Sequence, residues 1–322
     1  MSAGDSALSA QLAEAFKSAC LAELEALKPG NVHIFADGHG MRVEDFARSA
    51  EAAAAPIAQA GASVGLRIHS SIAATWDAVG CNTNLGIVLL CAPLAHAVLM
   101  RQEPTLRERL RAVLQTLTVD DAALAFQAIV RASPAGLGKS ARHDVHAAPA
   151  VTLRDAMHEA AQRDRIALQY TTDFADIFEL GMPRYAQTLQ RWGRPAWATT
   201  AVYLGFLSAY ADTHIARKLG AATAAAVQEE ARAHEQAFLS LDNPKTYQRE
   251  LLKFDAALKV RGINPGTSAD LTVASVFAIA LARLMESPPG TPSEPSGQGP
   301  GEVLPGDRPS WFKRVLSGLG WY

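Results

Sequence analysis

ALSAQLAEAFKSACLAELEALKPG, residues 7–30, decides the fold class. Leu8, Leu12, Ala15, Phe16, Ala19 and Cys20 recur at helical spacing, so they share one face of a helix. Pro29 and Gly30 then close it, because proline cannot continue the hydrogen-bond ladder and glycine favours the turn that follows. Along the rest of the chain the same grammar repeats: alanine-rich amphipathic runs separated by polar, glycine-bearing junctions.

The periodicity predicts helices over Val43–Ala60, broken or kinked at Pro56, and over Ser63–Ala78, Gly86–Met100, Pro104–Leu117 and Val119–Ala132. Leu153–Tyr170 reads as a charged helix running on through TTDFADIFELG to Gly181. Pro183–Trp192, Ala196–Leu219, Ala221–Leu239, Pro244–Lys259 and Ser268–Met285 follow. Nowhere is there a convincing period-2 run, and β-branched residues are never concentrated. The expected fold is all-α, a single compact multi-helix domain over residues 5–286. Residues 287–309, SPPGTPSEPSGQGPGEVLPGDRP, have the composition of a disordered Pro/Gly/Ser linker. Residues 310–322, SWFKRVLSGLGWY, form a short aromatic tail, read as an interaction peptide or a loosely held end.

Thirty Lys and Arg against 32 Asp and Glu leave a net charge of −2, which offers no basic footprint for nucleic acid and no polybasic membrane patch. The most apolar stretch, Gly86–Met100, is interrupted by Pro93 and His96 and reads as a buried core helix rather than a membrane span. The first residues lack the basic-then-apolar order of a signal peptide. Cys20, Cys81 and Cys91 lack CxxC spacing and read as small buried hydrophobes in a reducing, cytoplasmic setting.

The chemistry is expected in the junctions. Lys28–Met41 (KPGNVHIFADGHGM), Gly80–Gly86 (GCNTNLG), Ser133–Lys139 and Arg261–Asp270 each combine glycine with Lys, Asn, Asp or His. Asp212-Thr213-His214 adds a polar cluster inside an otherwise apolar helix. Together they hold more polar side chains than capping requires, which points to one shared cavity. Asn82, Thr83 and Asn84 can cap the helix after them, whose free N–H groups would make an anion site. SPAGLGKS, residues 133–140, ends like a phosphate-binding P-loop. However, it has Ser133 at the first glycine and no buried strand before it, so only a glycine-rich loop with Lys139 reaching a phosphate remains. His33, His39 and Asp37 lack the second ligand pair of a zinc site.

Five segments, in order, resemble the triphosphoribosyl-dephospho-CoA synthase family. KPGNV at 28–32 matches its KPG(L/N)V motif, and GHGM with the following EDF and Ser49 is similar to its GxHxxM…DF..SA stretch. NTNLG at 82–86 resembles its NTxxG segment, and Asp212-Thr213-His214 falls where the family carries DTN. Phe254-Asp255 followed by NPGTSADL at 264–271 resembles its FD…NPGGSADL ending. The chain departs from the commoner NTHKG form at Asn84 and Leu85, from DTN at His214, and in the placement of Glu23, one residue nearer to KPG. The KPGNV/NTNLG form looks like a branch found in archaea and methylotrophic bacteria.

The resemblance implies a cytoplasmic transferase that moves the triphosphoribosyl group of ATP to a ribose hydroxyl of 3′-dephospho-CoA, releases adenine and makes a prosthetic-group precursor. Its expected partners are ATP, as substrate, and dephospho-CoA-like small molecules, with Mg²⁺ as cofactor and homo-oligomerisation left open. Breaking a ribosyl–base bond passes through an oxocarbenium-like state that a carboxylate stabilises and an acid assists. On that chemistry Lys28 and Lys139 are expected at phosphates, and Asn31 and Asn82 at ribose or phosphate. Gly30, Thr83, Gly86, Asn264 and Ser268 complete the nucleotide-binding set. Asp212 and Asp270 are expected to hold Mg²⁺ or the developing cation, and His39 or His214 to transfer a proton. Two other readings share the sequence: the same ATP-ribosyl chemistry on another acceptor in C1-cofactor metabolism, and a non-catalytic nucleotide-binding scaffold that uses the tail.

Overall fold

Long apolar faces with capped ends become helices along nearly the whole chain. The computed structural model describes residues 3–100, 103–132 and 144–286, and among them there is no β-strand. The helices are α1 (Ala3–Glu25), α2 (Val43–Ile57), α3 (Val64–Val79), α4 (Leu85–Leu99), α5 (Leu106–Gln115), α6 (Val119–Ala132) and α7 (Leu153–Ala160). They continue with α8 (Arg165–Gln169), α9 (Met182–Trp192), α10 (Pro195–Ala209), α11 (Thr213–Leu219), α12 (Ala221–Leu239), α13 (Gln248–Val260) and α14 (Gly266–Glu286). Met1–Met285 forms one compact unit, and Glu286–Tyr322 is a second unit. The expected linker and aromatic tail, like Lys139, lie outside the described residues.

Helices that are apolar all round are interior helices. In α4, every residue from Ile87 to Ala95 is buried, and Ala196 and the run Ala198–Ser208 of α10 are buried likewise. The core has two parts. One joins α1–α4 with α5, α6 and α14 around pairs such as Phe16 and Phe277, edge to face with ring centroids 5.8 Å apart. The other joins α10, α12 and α13 around Phe238, Trp192 and Tyr203. By length and composition α14 could cross a membrane, yet 56% of its most apolar window is buried inside the protein.

Two expected helices are broken. The run from Leu153 to Gly181 is α7, a turn, α8, a second turn and a π-helix over Asp176–Gly181. Asp164 accepts from the Ile166 and Ala167 N–H groups and so restarts the chain as a new helix. Asp173 and Phe174, at φ 51° and 57°, then leave the helical region altogether. The second break falls within Ala196–Leu219. Here α10 ends at Ala209, and Asp212 is not mid-helix but the N-cap of α11. Its Oδ1 accepts from the His214 N–H at 2.9 Å and the Ile215 N–H at 3.2 Å. A local side-chain acceptor won over helix continuation, although the apolar period runs across the break.

Candidate active site

Three of the four expected junctions converge with the Asp212–His214 segment, and Ser133–Lys139 lies outside the described residues. A cavity of about 1140 Å³ is lined by Asn31, His39, Asn82, Thr83, Gly86, His214, Asn264 and Asp270, among others. The structure therefore brings together residues from the four ends of widely separated helices. Lys28, Gly30, Asp212 and Ser268 do not line the cavity and stand behind its wall.

The KPGNV loop holds its shape through buried polar bonds. Lys28 is fully buried, and its Nζ donates to Glu23 and, at 3.0 Å, to Asn31 Oδ1. Asn31 Nδ2 in turn donates to Asn264 Oδ1 at 2.8 Å. Burial pushes Glu23 up and Lys28 down, and their contact opposes both shifts. Lys28 thus fixes Glu23, a cavity residue. Gly30, at φ 84°, gives its N–H to Asp255 Oδ1 at 2.8 Å, and a Cβ there would lie 2.9 Å from Pro265 Cδ. Burial works against the Asp255 carboxylate, but His33, the Gly30 N–H and Lys259 hold its pKa below the usual range. His33 is fully buried beside it and shifted down by burial.

Beyond the loop, His39-Gly40 forms a two-residue turn between Gly38 and Met41, with both residues at positive φ. His39 Nε2 lies 2.7 Å from the Gly30 carbonyl oxygen, so that nitrogen anchors the turn. On α4, Asn82 Oδ1 accepts from the Leu85 N–H at 3.2 Å, the one capping bond of the expected three. Thr83 donates instead to Ser49 Oγ, and Asn84 donates to Thr75 Oγ1.

The acids divide sharply. Asp212 Oδ2 accepts from both the N–H and the Oγ of Ser268, each at 2.8 Å, while its Oδ1 caps α11. Four donors fill the four lone-pair directions of a carboxylate, and Asp212 joins the N-terminal ends of α11 and α14. Mg²⁺ needs free oxygens in near-octahedral array. The Asp212–Asp270 pair therefore does not fit a shared Mg²⁺ site. No group of three or more His, Cys, Asp or Glu placed to hold a metal ion occurs among the described residues.

Asp270 is the opposite case. It faces the cavity with no side-chain hydrogen bond or ion pair among the described residues. Its carboxylate is seated against α4: a Cβ on Gly86 would lie 2.1 Å from Asp270 Oδ2, so only glycine fits there. Burial, then the charges of Glu23, Asp212 and Asp164, pushes its pKa far up. His214 goes the other way. Burial, then Lys218 and Arg217, lowers it to about 3, so the imidazole is neutral at neutral pH, and its Nε2 has no partner.

Cations that the sequence reading passed over also line the cavity. Arg163 and Arg165 come from the α7–α8 junction, and Arg217 and Lys218 from α11. Arg165 pairs with Asp176 through two bonds and lies over the Tyr210 ring, while Arg217 pairs with Asp164 at 3.2 Å. Read as continuous helix, these segments showed only solvated surface charge. The Asp164 cap, an Asp before an apolar run, was the available signal.

Glu25, next to the site on α1, gives a pH-dependent prediction. Burial raises its pKa from 4.5 to about 7, so the folded protein holds a proton that the unfolded chain has released between those values. Stability then falls as pH rises through that window. Glu25→Gln is expected to match the parent below pH 4.5 and to be more stable above pH 7, by at most about 3 kcal/mol. Urea unfolding at pH 4, 6 and 8 checks this. A constant difference across the three would contradict it.

Comparison with known proteins agrees with this architecture. A crystal structure from Archaeoglobus fulgidus, provisionally assigned as a triphosphoribosyl-dephospho-CoA synthase, has a similar fold. It gives a TM-score of 0.56 at 21% identity, over 73% of this chain and 97% of that one. No curated protein sequence matches. Residues 9–289 match the CitG family, ATP:dephospho-CoA triphosphoribosyl transferase. The chain, with its helical cavity and its ordered junction motifs, belongs to the ATP:dephospho-CoA triphosphoribosyl transferase family.

Proposed function

We propose that, in this transfer from ATP to dephospho-CoA, Asp270 protonates the departing adenine and Glu23 receives the proton of the attacking hydroxyl. The observation that carries the assignment is the unbonded Asp270 carboxyl pressed against Gly86, in the same cavity as the Lys28-held Glu23. A carboxyl kept protonated by burial is suited to donate, and one that burial makes more basic, with Lys28 beside it, is suited to accept a proton.

The ribose hydroxyl of dephospho-CoA attacks C1′ of the ATP ribose, and the C1′–O bond forms as the C1′–N9 bond breaks. The electron pair leaves with adenine, which takes the Asp270 proton. The hydroxyl proton goes to Glu23. A proton passing from Glu23 to Asp270, two groups that interact electrostatically, resets the pair. Asp270, ionised once it has donated, lies against the positive charge developing at C1′.

The remaining residues bind and orient. The Gly86 and Ile87 N–H groups, in the first turn of α4, and the Arg163, Arg217 and Lys218 side chains present donors to phosphate oxygens. Asn31 and Asn264 are bonded to each other, which leaves Asn264 Nδ2 to meet a ribose. Neutral His214 acts as a hydrogen-bond partner rather than the acid.

Incubation of the purified protein with ATP and dephospho-CoA, followed by chromatography, is expected to show adenine and triphosphoribosylated product in equal amounts. Release of ADP, AMP or diphosphate in place of adenine would exclude this chemistry. Adenine formed only with some other acceptor would favour the C1-cofactor reading.

A further inference from the structure

The same cavity has a second end that the transfer chemistry leaves unused. Phe126 and Ile129 of α6, Met157 and Ala156 of α7 and Trp76 of α3 line it, and none of them carries a group that the reaction needs. The segment Asn82–Gly86 touches both this apolar set and the polar one. Asn84 bonds to Thr75, the neighbour of Trp76, and Gly86 packs against Asp270. The cavity is therefore two-sided, with a cationic, acid-bearing lobe and an apolar lobe meeting at the first turn of α4.

The two substrates differ in the same sense. ATP is polar throughout. Dephospho-CoA has an adenosine diphosphate head and a pantetheine arm of methylene and methyl groups with two amides and a thiol. We infer that the apolar lobe between α3, α6 and α7 holds the pantetheine arm and so selects the acceptor. This rests on the transferase reading and deepens it. Adenine is the competing occupant, but its ring and exocyclic nitrogens would be left unpaired among Phe126, Ile129 and Met157, a costly arrangement. The arm presents mainly apolar surface, and Glu159 and Gln162 on the same wall can meet its amides. With the arm there, the diphosphate falls at the α4 N–H groups and the adenosine ribose beside Glu23, where its hydroxyl must be. ATP then takes the side of Arg217 and Lys218.

The test uses the full chain and D-pantetheine as probe. Pantetheine is expected to inhibit competitively against dephospho-CoA and not against ATP. Met157→Gln and the milder Phe126→Leu are expected to raise KM for dephospho-CoA about 10- to 100-fold, with KM for ATP within about twofold. Calorimetry should show pantetheine binding to the parent and weakened binding to both variants, whether or not turnover is detected. An increase in the KM for ATP would place adenine in the lobe and overturn the inference. So would pantetheine binding that both folded variants retain. Failure of the parent to release adenine would instead count against the transferase chemistry, while the calorimetric result would still decide the lobe.

Discussion

Asp270→Asn is expected to lower kcat by about two to four orders of magnitude, the range for loss of a general acid, while leaving both KM values nearly unchanged. The substitution is close to isosteric, so the contact with Gly86 persists. What disappears is a proton that burial retains. The pH profile separates this from a packing defect. A raised carboxyl pKa means that the donating form is present below it, so parental kcat falls as pH rises through that value. The asparagine variant should lack that limb. A variant with near-parental kcat, or with the same alkaline limb, would remove Asp270 from the proton-donating role.

Asp212→Asn is expected to act on stability first. The carboxylate accepts from four donors, two at the start of α11 and two on Ser268 of α14. In the amide one oxygen becomes a donor, so one pair of N–H or O–H groups loses its acceptor and faces another donor. A lost cap together with buried unpaired donors costs about 3 kcal/mol. Urea denaturation should show the drop. Turnover should fall with it, because α11 carries His214, Arg217 and Lys218 and α14 carries Asp270. Full stability with abolished turnover would mean that Asp212 meets the substrate directly, against its position behind the cavity wall.

Most of the architecture was legible because helices announce themselves twice, in a 3.6-residue apolar period and in their stop signals. Pro29-Gly30 marked the end of α1 to within a few residues, and the Asn82–Gly86 junction located the start of α4. The breaks were harder. Hydrophobic period runs through both Asp164 and Asp212, and only the local competition between side-chain and main-chain acceptors decides that the chain restarts there. The positive φ of Asp173 and Phe174 has no glycine to flag it.

The site was legible as a set of junctions but not as a division of labour. KPGNV and NPGTSADL do meet, through Asn31 and Asn264. That Lys28 is committed to Glu23, and Asp212 to two helix ends, depends on which side chains face inward, which spacing alone does not tell. The same limit hid Arg165 and Arg217. A cation on a helix reads as solvated surface until an acid from a neighbouring element engages it.

The bonds that hold the KPGNV loop also set an order of assembly. Gly30 is tied to Asp255, and Asn31 to Asn264, across 225 and 233 residues. During synthesis those partners emerge last among the helices of the domain, so the loop stays without its anchors until α13 and the start of α14 have left the ribosome. For that interval Glu23, Lys28 and Asn31 are hydrated rather than buried. The pocket thus matures in a late step that joins the two ends of the domain, and a chain stalled before Asn264 would possess most of its helices and no nucleotide site.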